Sequence, residues 1–117
     1  MNEEEKFRAF YPDILENGGL LQVVRALLAG RVAGIAVNGF GTGQNYVHVQ
    51  LADRSSQIFL RLNEREFDFD FWQAGQKRAS GTSSDIQEVG ASVEQWLTGN
   101  GDVDAFSKAY PFVRQNV

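Results

Sequence analysis

The stretch QIFLRLNEREFDFDFW, residues 57–72, decides the fold because its apolar and polar side chains alternate on both sides of a short polar link. Alternation of this kind is typical of strands that bury one face. A link this short joins only antiparallel neighbours, so the stretch predicts a hairpin with Leu60 beside Phe67 and Ile58 beside Phe69. One face of this hairpin is then apolar throughout.

Two further strands precede the hairpin, and their spacing keeps the same face apolar. The predicted neighbours are Val49 with Ile58 around a turn at Asp53–Arg54, and Ile35 with Val47 across the glycine-rich loop Gly39–Gly43. The four predicted strands are Arg31–Asn38, Tyr46–Leu51, Gln57–Leu62 and Glu66–Trp72. Because every link is short, these strands form an antiparallel meander.

Helical periodicity flanks the strands on both sides. Apolar residues recur at helical spacing before Gly30, and again after a capping box formed by Ser84 and Gln87. The polar stretch Gln76–Ser83 reads as a loop, and Trp96 falls on the apolar stripe of the second helical region. The sequence therefore predicts an α+β fold over a single domain, residues 1–117, with N-terminal helices, a four-stranded antiparallel meander, and C-terminal helices packed on one sheet face.

The opposite face of the predicted sheet collects aromatic and charged side chains. In the predicted register Arg61 lies beside Glu66, and Phe59 lies beside Asp68. Aromatic residues, arginine and histidine with carboxylates suit recognition of a partner. The simpler interpretation is a solvated sheet face with ordinary cross-strand charge pairs, which explains Phe59 least well. The candidate binding residues are Tyr46, His48, Phe59, Arg61, Glu66, Asp68, Asp70 and Trp72, with Phe40 as an exposed anchor in the glycine-rich loop.

Composition excludes several classes of function. The 117 residues include 15 Asp and Glu against 11 Lys and Arg, one His and no Cys, for a net charge of −4. An acidic chain is a poor ligand for a phosphate backbone, so we expect no nucleic-acid partner. Without Cys and with one His, we expect no metal site and no cofactor. The apolar runs are too short to span a membrane, and we expect a cytoplasmic protein with no membrane partner.

No pattern in the sequence assigns a catalytic residue. The glycine-rich loop is followed by a strand rather than a helix, unlike a dinucleotide-binding turn. The carboxylates at positions 64, 66, 68 and 70 lie about 7 Å apart along one predicted edge strand, rather than facing each other across a cleft. No serine stands in a Gly-x-Ser-x-Gly context. Catalysis is the less favoured class.

The C-terminal part of the chain resembles a known family. The residues that carry the resemblance are Arg65-Glu66-Phe67, Asp70-Phe71-Trp72, Gly75, Ala79-Ser80-Gly81-Thr82, Asp85, Glu88-Val89, Trp96-Leu97 and Tyr110-Pro111-Phe112-Val113. They are similar to small uncharacterised bacterial domains of actinobacterial type that are associated with natural-product biosynthesis. The resemblance covers mainly residues 65–113 and implies a fold, with no catalytic residue to carry over.

Two functions follow as hypotheses. The first is a small cytoplasmic protein-interaction module, of immunity or accessory type, whose acidic sheet face binds a basic protein partner. The alternative is a small-molecule-binding protein or weak enzyme with a pocket near Tyr46, His48 and Arg61. The same face would also serve for homodimerisation.

Overall fold

The computed structural model describes residues 1–40 and 45–116, which form helices at both ends of the chain around one antiparallel sheet. The N-terminal elements are α1 (Glu3–Phe10), α2 (Pro12–Glu16) and α3 (Leu20–Leu28). The strands are β1 (Ala36–Gly39), β2 (Tyr46–Leu51), β3 (Arg54–Leu60), β4 (Phe67–Gln73), β5 (Gln76–Ser83) and β6 (Val113–Gln115). Helices α4 (Ile86–Thr98) and α5 (Val103–Ala109) lie between β5 and β6. The α+β class, the antiparallel sheet and the helices at both ends are confirmed.

The prediction of four strands is wrong, because the sheet has six in the order β1-β2-β3-β4-β5-β6. The stretch 76–83, expected to be a loop, pairs with β4 along its whole length as β5. A two-residue turn joins them, with positive φ at both Ala74 and Gly75, as a type I′ hairpin requires. Residues 113–115 then add β6 to the free edge of β5.

Two of the three predicted registers also differ from the structure. The β3–β4 register is as predicted, with Ile58 opposite Phe69. In the β2–β3 hairpin, however, Ile58 lies opposite Val47 and not Val49, because the turn is at Ala52–Asp53 and Ala52 adopts φ 55°.

The first strand is shorter and shifted. It begins at Ala36 rather than Arg31, and Val37 lies opposite Val49. Gly34, inside the predicted strand, has φ 77°, which breaks an extended backbone. The glycine-rich loop predicted over residues 39–43 falls largely on residues 41–44, which lie outside the described part of the chain.

The helices pack on one face of the sheet over an aromatic core. Trp96, on α4, is 2% exposed and contacts Phe71 and Phe106, so its predicted core position is confirmed. Helix α4 is capped by Asp85, whose carboxylate accepts the Gln87 N–H at 2.9 Å, and not by the expected Ser84. No helix among residues 1–40 and 45–116 has the length and hydropathy that a membrane crossing needs.

The N-terminal helices are tied to the loop between β3 and β4. Tyr11 is fully buried, and its hydroxyl accepts the Glu66 N–H at 3.0 Å. The carbonyl oxygens of Arg61, Glu64 and Glu66 lie within hydrogen-bond distance of the same hydroxyl. Arg65 binds both carboxylate oxygens of Asp13, at 2.8 and 3.0 Å, and donates to the Phe10 carbonyl. This ion pair lowers the pKa of Asp13. The loop that carries two candidate site residues, Arg61 and Glu66, is therefore held in place from the helix side.

Candidate functional site

The face of the sheet opposite the helices, called here the open face, carries the predicted site residues in two cross-strand rows. Pairing across β2, β3, β4 and β5 gives the first row as Tyr46, Phe59, Asp68 and Thr82. The second row is His48, Gln57, Asp70 and Ser80, and it continues onto β6 at Arg114. The even-numbered residues of β2 and β4 lie on this face, as predicted.

The carboxylates of β4 do not lie on an edge strand, contrary to the sequence-based expectation. Strands β3 and β5 flank β4 on its two sides. Because β5 and β6 extend the sheet beyond β4, they bring Lys77 and Arg114 onto the open face. The face is therefore acidic along β4 and at the β3–β4 loop, and basic along β5 and β6.

Three aromatic rings form a continuous group at one end of the open face. Phe40 is 53% exposed, and its ring meets that of Tyr46 edge-on at a centroid distance of 4.5 Å. Tyr46 in turn lies 4.9 Å from Phe59. Burial raises the pKa of the Tyr46 hydroxyl, and the negative charge of Asp70 raises it further. This aromatic group joins predicted residues from three strand ends.

Arg61 gathers three of the carboxylates at the β3–β4 loop. Its guanidinium binds Asp68 with two hydrogen bonds, from Nε at 2.7 Å and from Nη2 at 3.0 Å. Its Nη1 also binds Glu64 at 2.9 Å and Glu66 at 3.2 Å. Hydrogen bonding to Asp68 and then to Glu64 raises the pKa of Arg61. Three carboxylates against one guanidinium leave two negative charges in excess in this Arg61 cluster.

Asp70 is the unusual carboxylate of the open face. It is 7% exposed, and its Oδ1 accepts the backbone N–H of Gln57 at 3.0 Å. Among the described residues no cation lies within 4 Å of it. Burial raises its pKa, and the Gln57 N–H, Trp72, Lys77 and His48 lower it by smaller amounts.

Trp72 lies beside Asp70 on the same strand face, as its even position predicts. Its indole Nε1 is buried and has no hydrogen-bond partner of regular geometry in the described chain. Buried indole N–H groups normally find an acceptor. The indole N–H therefore lies close enough to the Asp70 carboxylate to lower its pKa, although no hydrogen bond of regular geometry joins the two groups.

A concavity of about 290 Å³ opens on this part of the face. It is lined by Phe59, Asp68, Phe69, Asp70, Lys77, Ser80, Gly81, Thr82, Phe112 and Arg114. The predicted pocket residues Tyr46, His48 and Arg61 do not line it. His48 lies opposite Gln57 rather than Phe59, because the β2–β3 register is shifted by two residues from the predicted one.

Sequence reasoning missed the contribution of β5 and β6 to the site. The inward residues of β5, which are Ala79, Gly81 and Ser83, are small, so residues 76–83 lack the bulky apolar alternation that identifies β3 and β4. Gly75 was the available signal, because a glycine two to three residues after a strand often closes a tight hairpin. Recognising that turn would have placed Lys77 next to Trp72.

Comparisons of this chain with protein-family models, with curated proteins and with solved structures found no match. The resemblance to the actinobacterial domains stays a prediction that rests on the residues quoted for it.

Proposed function

We propose that this chain is a small cytoplasmic protein-interaction module of immunity or accessory type, whose open face binds a basic segment of a partner protein. The observation that carries the proposal is the excess negative charge of the Arg61 cluster, with Asp70 nearby, beside an aromatic group in which Phe40 is exposed. Aromatic residues are enriched in binding hot spots, and charge complementarity speeds encounter and selects partners. The chain as a whole carries a net charge of −4, which favours approach of a basic protein.

The shape of the open face favours a macromolecular partner over a small molecule. Enclosed ligand sites usually measure about 300–1,000 Å³ and bury most of their ligand. The concavity of about 290 Å³ lies at the lower limit of that range, and it is an open depression of the sheet surface. The alternative function, a pocket near Tyr46, His48 and Arg61, gains no support from the lining of this concavity.

Position-specific crosslinking in the native host tests the proposal. A photoreactive phenylalanine analogue replaces Phe40 in one variant and Gln87, exposed on the helix side, in the other. We expect the Phe40 position to capture a protein through a segment rich in lysine and arginine, and the Gln87 position not to capture it. The captured protein is then purified, and calorimetry should show direct binding that weakens as salt rises.

Matched charge variants decide whether the open face or the overall charge attracts the partner. Glu64→Gln with Glu66→Gln removes two charges from the Arg61 cluster, while Glu16→Gln with Glu94→Gln removes two charges from the helices. We expect the first pair to weaken binding of the purified partner and the second pair to leave it nearly unchanged. Equal effects of the two pairs, or equal capture from Phe40 and Gln87, would overturn the proposal.

A further inference from the structure

We infer that Asp70 is the docking point of the open face, and that it receives the guanidinium of one arginine from the partner. This inference rests on the proposed function and specifies which group of the partner is recognised. Asp70 lies in one concavity with Phe59 of the aromatic group and Asp68 of the Arg61 cluster.

The carboxylates of the open face differ in their ionic state. Arg61 pairs with Glu64, Glu66 and Asp68, so an incoming cation would compete with an existing bond at each of them. Asp70 has no such partner among residues 1–40 and 45–116, although it is 93% buried from solvent (7% exposed). A carboxylate in this state has lost hydration and gained a backbone hydrogen bond but no ion pair, so a cation from outside displaces no existing ion pair.

The geometry around Asp70 favours entry of a group from outside. The carboxylate lies at the concavity, whose wall includes the ring of Phe59. The buried indole N–H of Trp72, on the same strand face, lowers the pKa of Asp70, although it makes no hydrogen bond of regular geometry within the described chain. The Asp70 carboxylate therefore has no ion-pair partner within the described chain, and a cation that enters the concavity can supply one.

The chemistry of the site favours arginine over lysine as the incoming residue. A guanidinium is planar and weakly hydrated, so it enters a buried site at lower cost than an ammonium and stacks on aromatic rings. The exposed Lys77 illustrates the point, because its charge lowers the pKa of Asp70 but its ammonium forms no ion pair with it. Lys77 and Arg114 both repel an incoming cation. Removing the charge of Lys77 should therefore strengthen binding, whereas removing the charge of Asp70 should weaken it.

Nuclear magnetic resonance of the full chain tests the inference with a defined probe. The probe is the blocked tripeptide Gly-Arg-Gly, with the lysine tripeptide and the neutral citrulline tripeptide as controls. We expect the Trp72 indole N–H resonance to shift and saturate with the arginine probe, more weakly with lysine, and not with citrulline. The Trp96 indole, bonded to the Trp72 carbonyl on the helix side at 3.1 Å, serves as the internal reference and should move much less.

Variants assign the effect to Asp70. Asp70→Asn should weaken binding of the arginine probe about tenfold, as expected for loss of one charge from a close pair. Asp53→Asn removes the same charge from an exposed turn and should change binding by less than about twofold. Lys77→Gln should tighten binding, and it keeps the test decisive if Asp70→Asn does not fold.

The outcomes separate this inference from the proposed function. Unchanged probe binding in Asp70→Asn, an equal loss in Asp53→Asn, or weaker binding in Lys77→Gln would overturn the guanidinium site. If Phe40 still captures a basic partner in that case, the proposed function stands alone. If the probe binds at Asp70 but Phe40 captures nothing, the proposed function fails and the arginine site remains.

Discussion

Replacing Tyr11 with phenylalanine should destabilise the protein by removing one oxygen atom. The Tyr11 hydroxyl accepts the Glu66 N–H at 3.0 Å, and the nearest acceptor for its own proton is the Arg61 carbonyl oxygen at 2.5 Å. The ring stays packed between Phe7 and Phe67 in either variant, because both contacts involve only ring atoms. The change therefore isolates the hydrogen bonds that hold the β3–β4 loop.

The expected loss follows from those two bonds. Each contributes about 0.5–1.5 kcal/mol, and a polar group left buried without a partner costs more, so we expect a decrease of about 2–3 kcal/mol in the free energy of unfolding. Urea denaturation followed by tryptophan fluorescence measures it. Tyr110→Phe is the matched control, because its hydroxyl makes one 3.4 Å contact with the Ala91 carbonyl, and it should cost about 0.5 kcal/mol or less. Equal losses in the two variants would refute the reasoning.

Three further changes have definite expected outcomes. Gly81→Ala places a Cβ 2.7 Å from the Phe69 ring, so urea denaturation should show a loss of about 1–3 kcal/mol from overpacking. Arg54→Ala removes the guanidinium that binds the carbonyls of Trp96 and Gly99 at the end of α4, and it should lower the free energy of unfolding by about 2 kcal/mol. A urea denaturation midpoint unchanged from wild type would exclude that role. Asp70 has a raised pKa in the folded protein, so folding takes up a proton between its unfolded pKa, about 4, and its folded pKa. Its stabilising contribution is therefore present below that window and is lost as pH rises through it. The stability of Asp70→Asn relative to wild type should therefore increase from acid to neutral pH. A constant stability difference across that range would contradict the raised pKa.

The sequence predicted registers only where both strands carry bulky alternation. Leu60 and Phe67 fix the β3–β4 hairpin, because a one-residue slip would expose the apolar side chains of both strands. A two-residue slip keeps every side chain on its face, so the apolar pattern could not distinguish Val47 from Val49 as the neighbour of Ile58. That choice depended on the conformation of Ala52, which the sequence does not reveal.

The sequence likewise predicts one part of the candidate site and not the other. The face of each residue followed from the parity of its position, which correctly placed Phe59, Asp68 and Asp70 on one surface. The neighbours of Asp70 could not be predicted without β5, because its small inward residues give no apolar alternation that would identify a strand. From β4 alone the sequence predicts a face that is acidic throughout. In the structure the open face is acidic at its centre and basic at the margin formed by Lys77.

A double-mutant cycle tests the central claim most directly. Calorimetry would measure the binding of the partner captured through Phe40, combining Asp70→Asn with replacement of each arginine of the captured segment by glutamine. We predict that one arginine couples to Asp70 by about 1.5 kcal/mol or more, the range found for close interfacial charge pairs. Coupling below about 0.5 kcal/mol for every arginine would contradict the claim that the open face recognises its partner at Asp70.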